Sequence, residues 1–260
     1  MKNKIIIDPE RILIAPFTDV DCENKKLNPI KDYQNNRFIT LEEAVEPLRK
    51  IIPHLNQYIQ EAKRNFNINS SDSLTIDESA ALYLYTMDSG DRILSRLFNQ
   101  ALRCKYQTDL KTYWFKYLEL IYSALSKLSS VSGYVYQGIP TEIKENYSKN
   151  KIITWWGIIS CTPIPDNIVV SLLGKNSTLL NILVLNGKDI SAYSCNKNRN
   201  EIVLLPGTRL RVNDVSYNNN LGINEIDLEE IADDVLELDP VEHETALCTS
   251  KDEPFSKYKT

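Results

Sequence analysis

A chain of 260 residues, 42% hydrophobic and 25% charged, has apolar material for one large domain, or for a helical part joined to a β-rich one. Its formal charge of −5 argues against a general nucleic-acid binder, which would present a basic face. Its five cysteines are scattered with no CxxC pair and its histidines are only His54 and His243, which speaks against a disulfide framework, a zinc site and a histidine-based catalytic scheme.

Residues 1–39 alternate short apolar runs with Pro9, Pro16 and Pro29, and read as a leading segment of strand and loop. The apolar run Ile5-Ile6-Ile7 ends at Asp8, too soon for a secretory signal, and no stretch is long enough to span a bilayer. The expectation is a cytoplasmic protein without a membrane partner. Thr40-Leu41-Glu42-Glu43 has the form of a capping box, in which threonine and glutamate satisfy free amides at a helix start. Val45, Leu48, Ile51, Ile52 and Leu55 follow at helical spacing, with Pro47 and Pro53 expected to bend or divide the helix. After a polar loop at 67–73, Thr75-Ile76-Asp77-Glu78 repeats the cap and opens a helix through Met87. Two more helices are expected near 92–104 and 110–128, with Leu94, Leu97, Phe98 and Ala101 on one face, then Trp114, Tyr117, Leu118, Ile121 and Leu125 on the next.

From Ser132 the texture changes to short β-branched runs. Strands are expected at 134–139, 152–161, 179–185, 201–205, 209–215 and within 222–231, with turns at Asn186-Gly187 and Pro206-Gly207. Brief helices are expected at 141–148 and 166–173. Beyond Ile231, six acids between Asp233 and Glu244 mark an acidic, loosely ordered tail over 232–260. Helices first and strands second give an α+β class, with a helical part over 40–130 and a β-rich part over 131–231.

Three clusters stand out in the β-rich part. Gln137, in Tyr136-Gln137-Gly138, is a polar side chain in an apolar run and needs a hydrogen-bond partner if buried. Trp155-Trp156-Gly157-Ile158-Ile159 leads into Ser160-Cys161-Thr162, where large aromatics give way to small hydroxyls and a thiol. The tryptophans should alternate faces, one supporting the core and the other reaching the opposite side. Arg199-Asn200-Glu201 precedes Ile202-Val203-Leu204-Leu205-Pro206-Gly207-Thr208, so Glu201 sits at the mouth of a buried strand. Taken singly, each reads as ordinary structure: a solvated strand-end acid, hydroxyls bonded to local backbone, aromatics in a core.

Taken together and in this order, the three resemble the motifs of mono-ADP-ribosyltransferases of the cholera-toxin-like, arginine-specific clade. That family has an Arg-Gly on a first strand, a Ser-Thr-Ser-like strand, and a Glu-x-Glu pair ending a loop. The chain is similar to a eukaryotic subgroup whose second motif reads Trp-Trp-Gly-aromatic-Ser-Ser-Cys-Thr and whose third is followed by Leu-Leu-Leu-Pro. The segments Leu74–Thr86 and Trp114–Leu118 are similar to that subgroup as well, so the resemblance spans about 40–231. It implies a helical region packed on a split β-sheet core with a central cleft for NAD. It also implies a transferase that breaks the nicotinamide–ribose bond and passes ADP-ribose to a protein acceptor, with NADP as an open second dinucleotide. On this resemblance Glu201 is the catalytic residue, steadying positive charge on the ribose. Ser160 and Thr162 shape the ribose pocket, Gln137 and Gly138 lie along the dinucleotide, and Arg199 faces the acceptor. No metal is required.

The sequence departs from the family pattern at three points. Gln137 stands where the family has arginine, and a neutral amide replaces a bidentate cationic fork unless Lys144 or Lys149 compensates. Arg199 stands where the family has the first glutamate, turning attraction for a guanidinium acceptor into repulsion, roughly 1 kcal/mol in water and about 4 at intermediate dielectric. This points away from arginine as acceptor. Leu172 stands where the subgroup tends to place an aromatic near nicotinamide. Two alternatives therefore stay open beside the transferase: an enzyme that mainly hydrolyses NAD, and an inactive binding or scaffold module of the same fold.

Overall fold

The structure is a computed structural model that describes residues 39–66, 73–87, 93–104, 109–143, 147–165, 174–196 and 200–232. The expected helix at 166–173, residues 144–146, Arg199, the leading segment before Ile39 and the acidic tail from Asp233 lie outside the described residues.

Both capping boxes form. Thr40 Oγ1 accepts from the Glu43 amide and opens α1 (Leu41–Val45), and Thr75 Oγ1 does the same for the Glu78 amide at the start of α3 (Ile76–Thr86). Pro47 and Pro53 divide the first helical run. A 310 turn (Glu46–Lys50) follows α1, His54 takes a left-handed φ of 58°, and α2 (Leu55–Asn65) starts afresh. Then come α4 (Ile93–Leu102), a π-helical turn (Leu110–Trp114) and α5 (Phe115–Lys127). Helix α3 is buried from Glu78 to Thr86 and contacts α2, α4 and α5, so it is the axis of the helical part.

Among the described residues seven strands form, β1 (Ser130–Ile139), β2 (Ile152–Trp155), β3 (Ile159–Cys161), β4 (Thr178–Asp189), β5 (Ile202–Leu204), β6 (Thr208–Asn218) and β7 (Ile223–Glu230). They join in the order β2-β6-β7-β4-β5-β3, with β1 also antiparallel to β4. All pairings are antiparallel except β4 with β7. Strand β4 lies beside β7 over Thr178–Leu183 and beside β5 only at Lys188 and Asp189, so the sheet changes partner along its length.

Three expectations are corrected. The run 152–161 is two strands, because the Trp156-Gly157-Ile158 segment is captured by side chains of the helical part. Asn186-Gly187 is not a turn: β4 runs through it. A Cβ on Gly187 would lie 2.8 Å from Ile202 Cγ2, so the glycine serves close approach of β5. The amides of Leu185 and Asn186 donate to the Glu230 carboxylate at 2.6 and 2.9 Å. The described residues at 141–143 and 147–148 are not helical, against the expected helix at 141–148.

The apolar residues form two cores. One lies among the helices and takes in Ile158, Ile190, Tyr193 and Val203 from the β-rich part. The other lies against the opposite face of the sheet, with Trp155, Ile159, Cys161, Ile182, Ile202 and Leu204. Trp155 is a core residue at 1% exposure, and Trp156 is half-buried and belongs to neither core. Among the described residues no helix is long and apolar enough to cross a membrane.

Glu78 ties the helical part together. Its side chain, 5% exposed, accepts from Ser123 (2.6 Å) and Lys127 (2.7 Å) on α5 while capping α3. Burial alone would raise its pKa, but the bonds from Lys127, Ser123 and the Thr75 amide outweigh burial and hold it below the usual carboxylate range. A carboxyl depressed in the folded state contributes stability above its unfolded pKa and loses it as pH falls through the folded one. Lys127→Met should therefore lower stability by about 1–3 kcal/mol near neutral pH. Denaturant titrations should show the gap to wild type closing in acid.

Candidate functional site

The site is built on β3 and β5. Ser160 is registered opposite Val203, and Cys161 opposite Ile202. Ser160 and Val203 face the helical part, while Cys161 and Ile202 face the sheet core. Glu201, two residues before Val203, lies on the Ser160 side. There the Ser160 hydroxyl donates to Glu201 Oε1 at 2.7 Å, and each residue is 1% exposed. The Ser194 hydroxyl reaches the other oxygen, Oε2, at 3.4 Å, and accepts from the Asn196 amide at 3.2 Å. Burial, and after it the Glu201 carboxylate, push the pKa of the fully buried Cys161 thiol well above its ordinary value.

Strand β1 joins through its backbone. Tyr136 N–H donates to the Thr162 carbonyl at 2.8 Å and Thr162 N–H returns a bond to Tyr136 at 3.0 Å. Tyr136 and Thr162 thus share a face, and Gly138, two residues on, offers no side chain there. Thr162 is buried at 1%, and its Oγ1 accepts from the Ile164 amide. The structure therefore brings together Ser160, Thr162, Gly138 and Glu201. Gln137 is placed differently: it alternates with Val135 and Ile139, both in the sheet core, and is fully buried on that opposite face. Among the described residues neither end of its amide has a hydrogen-bond partner. Lys149 bonds to Asp214 on β6 at 3.3 Å, while Arg199, Lys144 and Leu172 lie outside the described residues.

Residues that the motif pattern did not point to hold this arrangement. Asn99 on α4, 2% exposed, accepts from Ile158 N–H at 2.9 Å and donates to Ile158 C=O at 3.0 Å, an amide-to-peptide bridge. Tyr85 on α3 adds a second donor to the same carbonyl at 3.1 Å. The peptide just before β3 is thus fixed by two helices, and Ser160 two residues later with it. A Cβ at Gly157 would come within 3.3 Å of Asn99 Oδ1, which accounts for the glycine. The loop before Glu201 is anchored likewise: Cys195 N–H donates to Thr86 Oγ1 at 2.8 Å, and Tyr193 is buried in the helical core. The sequence carries little signal for Asn99: its neighbours at helical spacing are Ser95, Arg96, Leu102 and Arg103, a mostly polar face. Among the described residues, no group of three or more His, Cys, Asp or Glu side chains could hold a metal ion.

A family model described as ART, NAD:arginine ADP-ribosyltransferase, matches residues 39–235. No curated protein matches the chain. Among solved structures, the type III effector XopAI of Xanthomonas axonopodis pv. citri, as an N-terminal truncation, is similar at a TM-score of 0.57 and 17% identity, covering 86% of this chain and 96% of its own. The ADP-ribosyltransferase HopU1 of Pseudomonas syringae pv. Tomato DC3000 gives 0.52 and 18%, covering 74% and 88%. The Vis toxin, an ADP-ribosyltransferase from Vibrio splendidus, gives 0.50 and 16%, covering 76% and 94%. At these identities the likeness is one of fold.

Replacing Asn99 with leucine keeps much of its volume but leaves the buried Ile158 N–H without its acceptor. Asn99→Leu should cost about 1–3 kcal/mol in denaturant titration. Asn99→Asp keeps the acceptor but sets an oxygen against the Ile158 carbonyl, so its cost should be large at neutral pH and shrink in acid, where a protonated carboxyl can donate.

Proposed function

The chain belongs to the NAD:arginine ADP-ribosyltransferase family, and on that premise we propose that it cleaves the nicotinamide–ribose bond of NAD and transfers ADP-ribose to a protein side chain, with Glu201 as the catalytic carboxylate. The observation that carries this reading is the buried 2.7 Å bond from Ser160 to Glu201.

In the cleavage step the electron pair of the C1′–N bond leaves with neutral nicotinamide, and positive charge develops on the ribose. A fixed carboxylate beside the sugar stabilises that charge and accepts from the 2′-hydroxyl, a bond that strengthens in the transition state. The acceptor nucleophile then attacks C1′, forming the new bond to the ribose, and loses its proton to solvent. Ser160 orients Glu201, so the carboxylate needs little reorganisation at the moment of reaction. Thr162 and Gly138 border the ribose on the same face. Gln137 contributes through the backbone of β1, since its side chain lies on the other face. Arg199 faces the acceptor and repels a guanidinium, so the acceptor is a side chain other than arginine. The neutral Gln137 favours a second reading, a binding module that keeps the fold without turnover.

Two measurements separate these. Wild-type protein should release nicotinamide from NAD, Glu201→Gln should slow release by about a hundredfold or more, and Ser160→Ala should slow it by up to about a hundredfold through misplacement of the carboxylate. Equal background rates in all three would leave the binding module. Arg199→Glu should raise transfer to a small guanidino compound, and no gain would remove the electrostatic account of acceptor choice.

A further inference from the structure

Glu201 closes a loop that leaves β4 at Asp189 and rejoins the sheet at Ile202, and these two residues are registered opposite each other. At this neck the backbone of Glu201 is bonded on both sides. Its carbonyl accepts from Ile190 N–H at 2.9 Å, and its own N–H donates to Ser191 Oγ at 2.9 Å. The Ser191 hydroxyl donates in turn to Asp189 Oδ1 at 2.5 Å, and the same oxygen accepts Ser191 N–H at 2.9 Å. Asp189 is exposed, Ser191 is half-buried, and neither belongs to a core. A surface turn needs only the Asp189-to-amide bond. The further bond, which turns a lone pair of the Ser191 hydroxyl onto the Glu201 amide, is not required by the turn.

We propose that Ser191, oriented by Asp189, is a positioning residue that fixes the Glu201 backbone independently of the loop's outer residues. This rests on the transferase reading above. The physical need is specific to such a site. Arg199, assigned to the acceptor, stands two residues before Glu201. Any adjustment of the loop to an acceptor would be carried into the carboxylate unless the neck were held, and a displacement of about 1 Å is enough to cost about a hundredfold in rate. An aspartate–serine chain suits the task because the carboxylate polarises the hydroxyl and strengthens its bond to the amide. The Ser160 bond then fixes the carboxylate end of Glu201 and the Ser191 bond its backbone end.

The test uses full-length protein. Ser191→Ala should lower kcat for nicotinamide release about tenfold while KM for NAD stays within about twofold. Ser191→Thr, which keeps the hydroxyl, should restore most of the rate, and Asp189→Asn should fall between wild type and Ser191→Ala. Amide exchange followed by NMR reads the contact without turnover: Glu201 N–H should exchange about tenfold faster in Ser191→Ala, with Val203 unchanged. Unchanged kcat in an active protein, no rescue by threonine, a KM rise that accounts for the whole loss, or unaltered Glu201 exchange would each overturn the proposal. A wild type that releases no nicotinamide sinks the transferase reading and the catalytic role of Ser191 with it. In that case altered Glu201 exchange would leave Ser191 as a structural pin only.

Discussion

A carboxylate at 1% exposure is the constraint around which this molecule is arranged. Removing such a group from water costs several kcal/mol unless hydrogen bonds replace the lost solvation, and here serine hydroxyls reach both oxygens. Those hydroxyls come from different segments. Ser160 is on a three-residue strand and Ser194 is in the loop that leads back to Glu201. Neither segment is long enough to hold its own position, so each depends on an outside support.

The helical part provides that support. Asn99 and Tyr85 bind the backbone of one residue, Ile158, and so set where β3 begins. Thr86 accepts from Cys195 in the loop, and Tyr193 and Ile190 are buried in the helical core. A helix side chain that bonds both the N–H and the C=O of one residue acts there as a strand partner would, so Ile158 keeps its backbone bonds where the sheet breaks. The core among the helices thus includes residues from both sides of the Ser160–Glu201 bond. The geometry of that bond is determined by helix packing as much as by strand register.

Much of this was legible in the sequence because the signals were local. The two capping boxes were readable from four residues each, and both form. The three motif clusters were readable as short patterns, and β1, β3 and β5 do come together through Tyr136–Thr162 and Ser160–Val203. What was not legible depends on partners far along the chain. Asn186-Gly187 has the composition of a hairpin turn, but Gly187 is there for Ile202, fifteen positions on. Trp156-Gly157-Ile158 has the composition of continuous strand, yet its peptide is bonded to a residue 59 positions away. Ser191 and Asp189 look like any polar loop pair until the Glu201 amide is seen to meet them. The face of Gln137 could be read only relative to neighbours whose own faces were unknown.

The Gln137 departure from the family pattern gains meaning from where it falls. The Gln137 side chain points into the sheet core, on the face away from Ser160 and Glu201. Arg199 stands two residues before Glu201 in the sequence and lies outside the described residues. Gln137 does not lie in the chain of contacts from Ile158 through Ser160 to the carboxylate. An apolar residue of similar volume would relieve the cost of burying that carboxylate, whereas truncating Ser160 alone would leave it short of a donor. The Gln137 departure therefore leaves the Ser160–Glu201 contact untouched, and that buried pair is set by the β3–β5 register and by the helix side chains that hold Ile158.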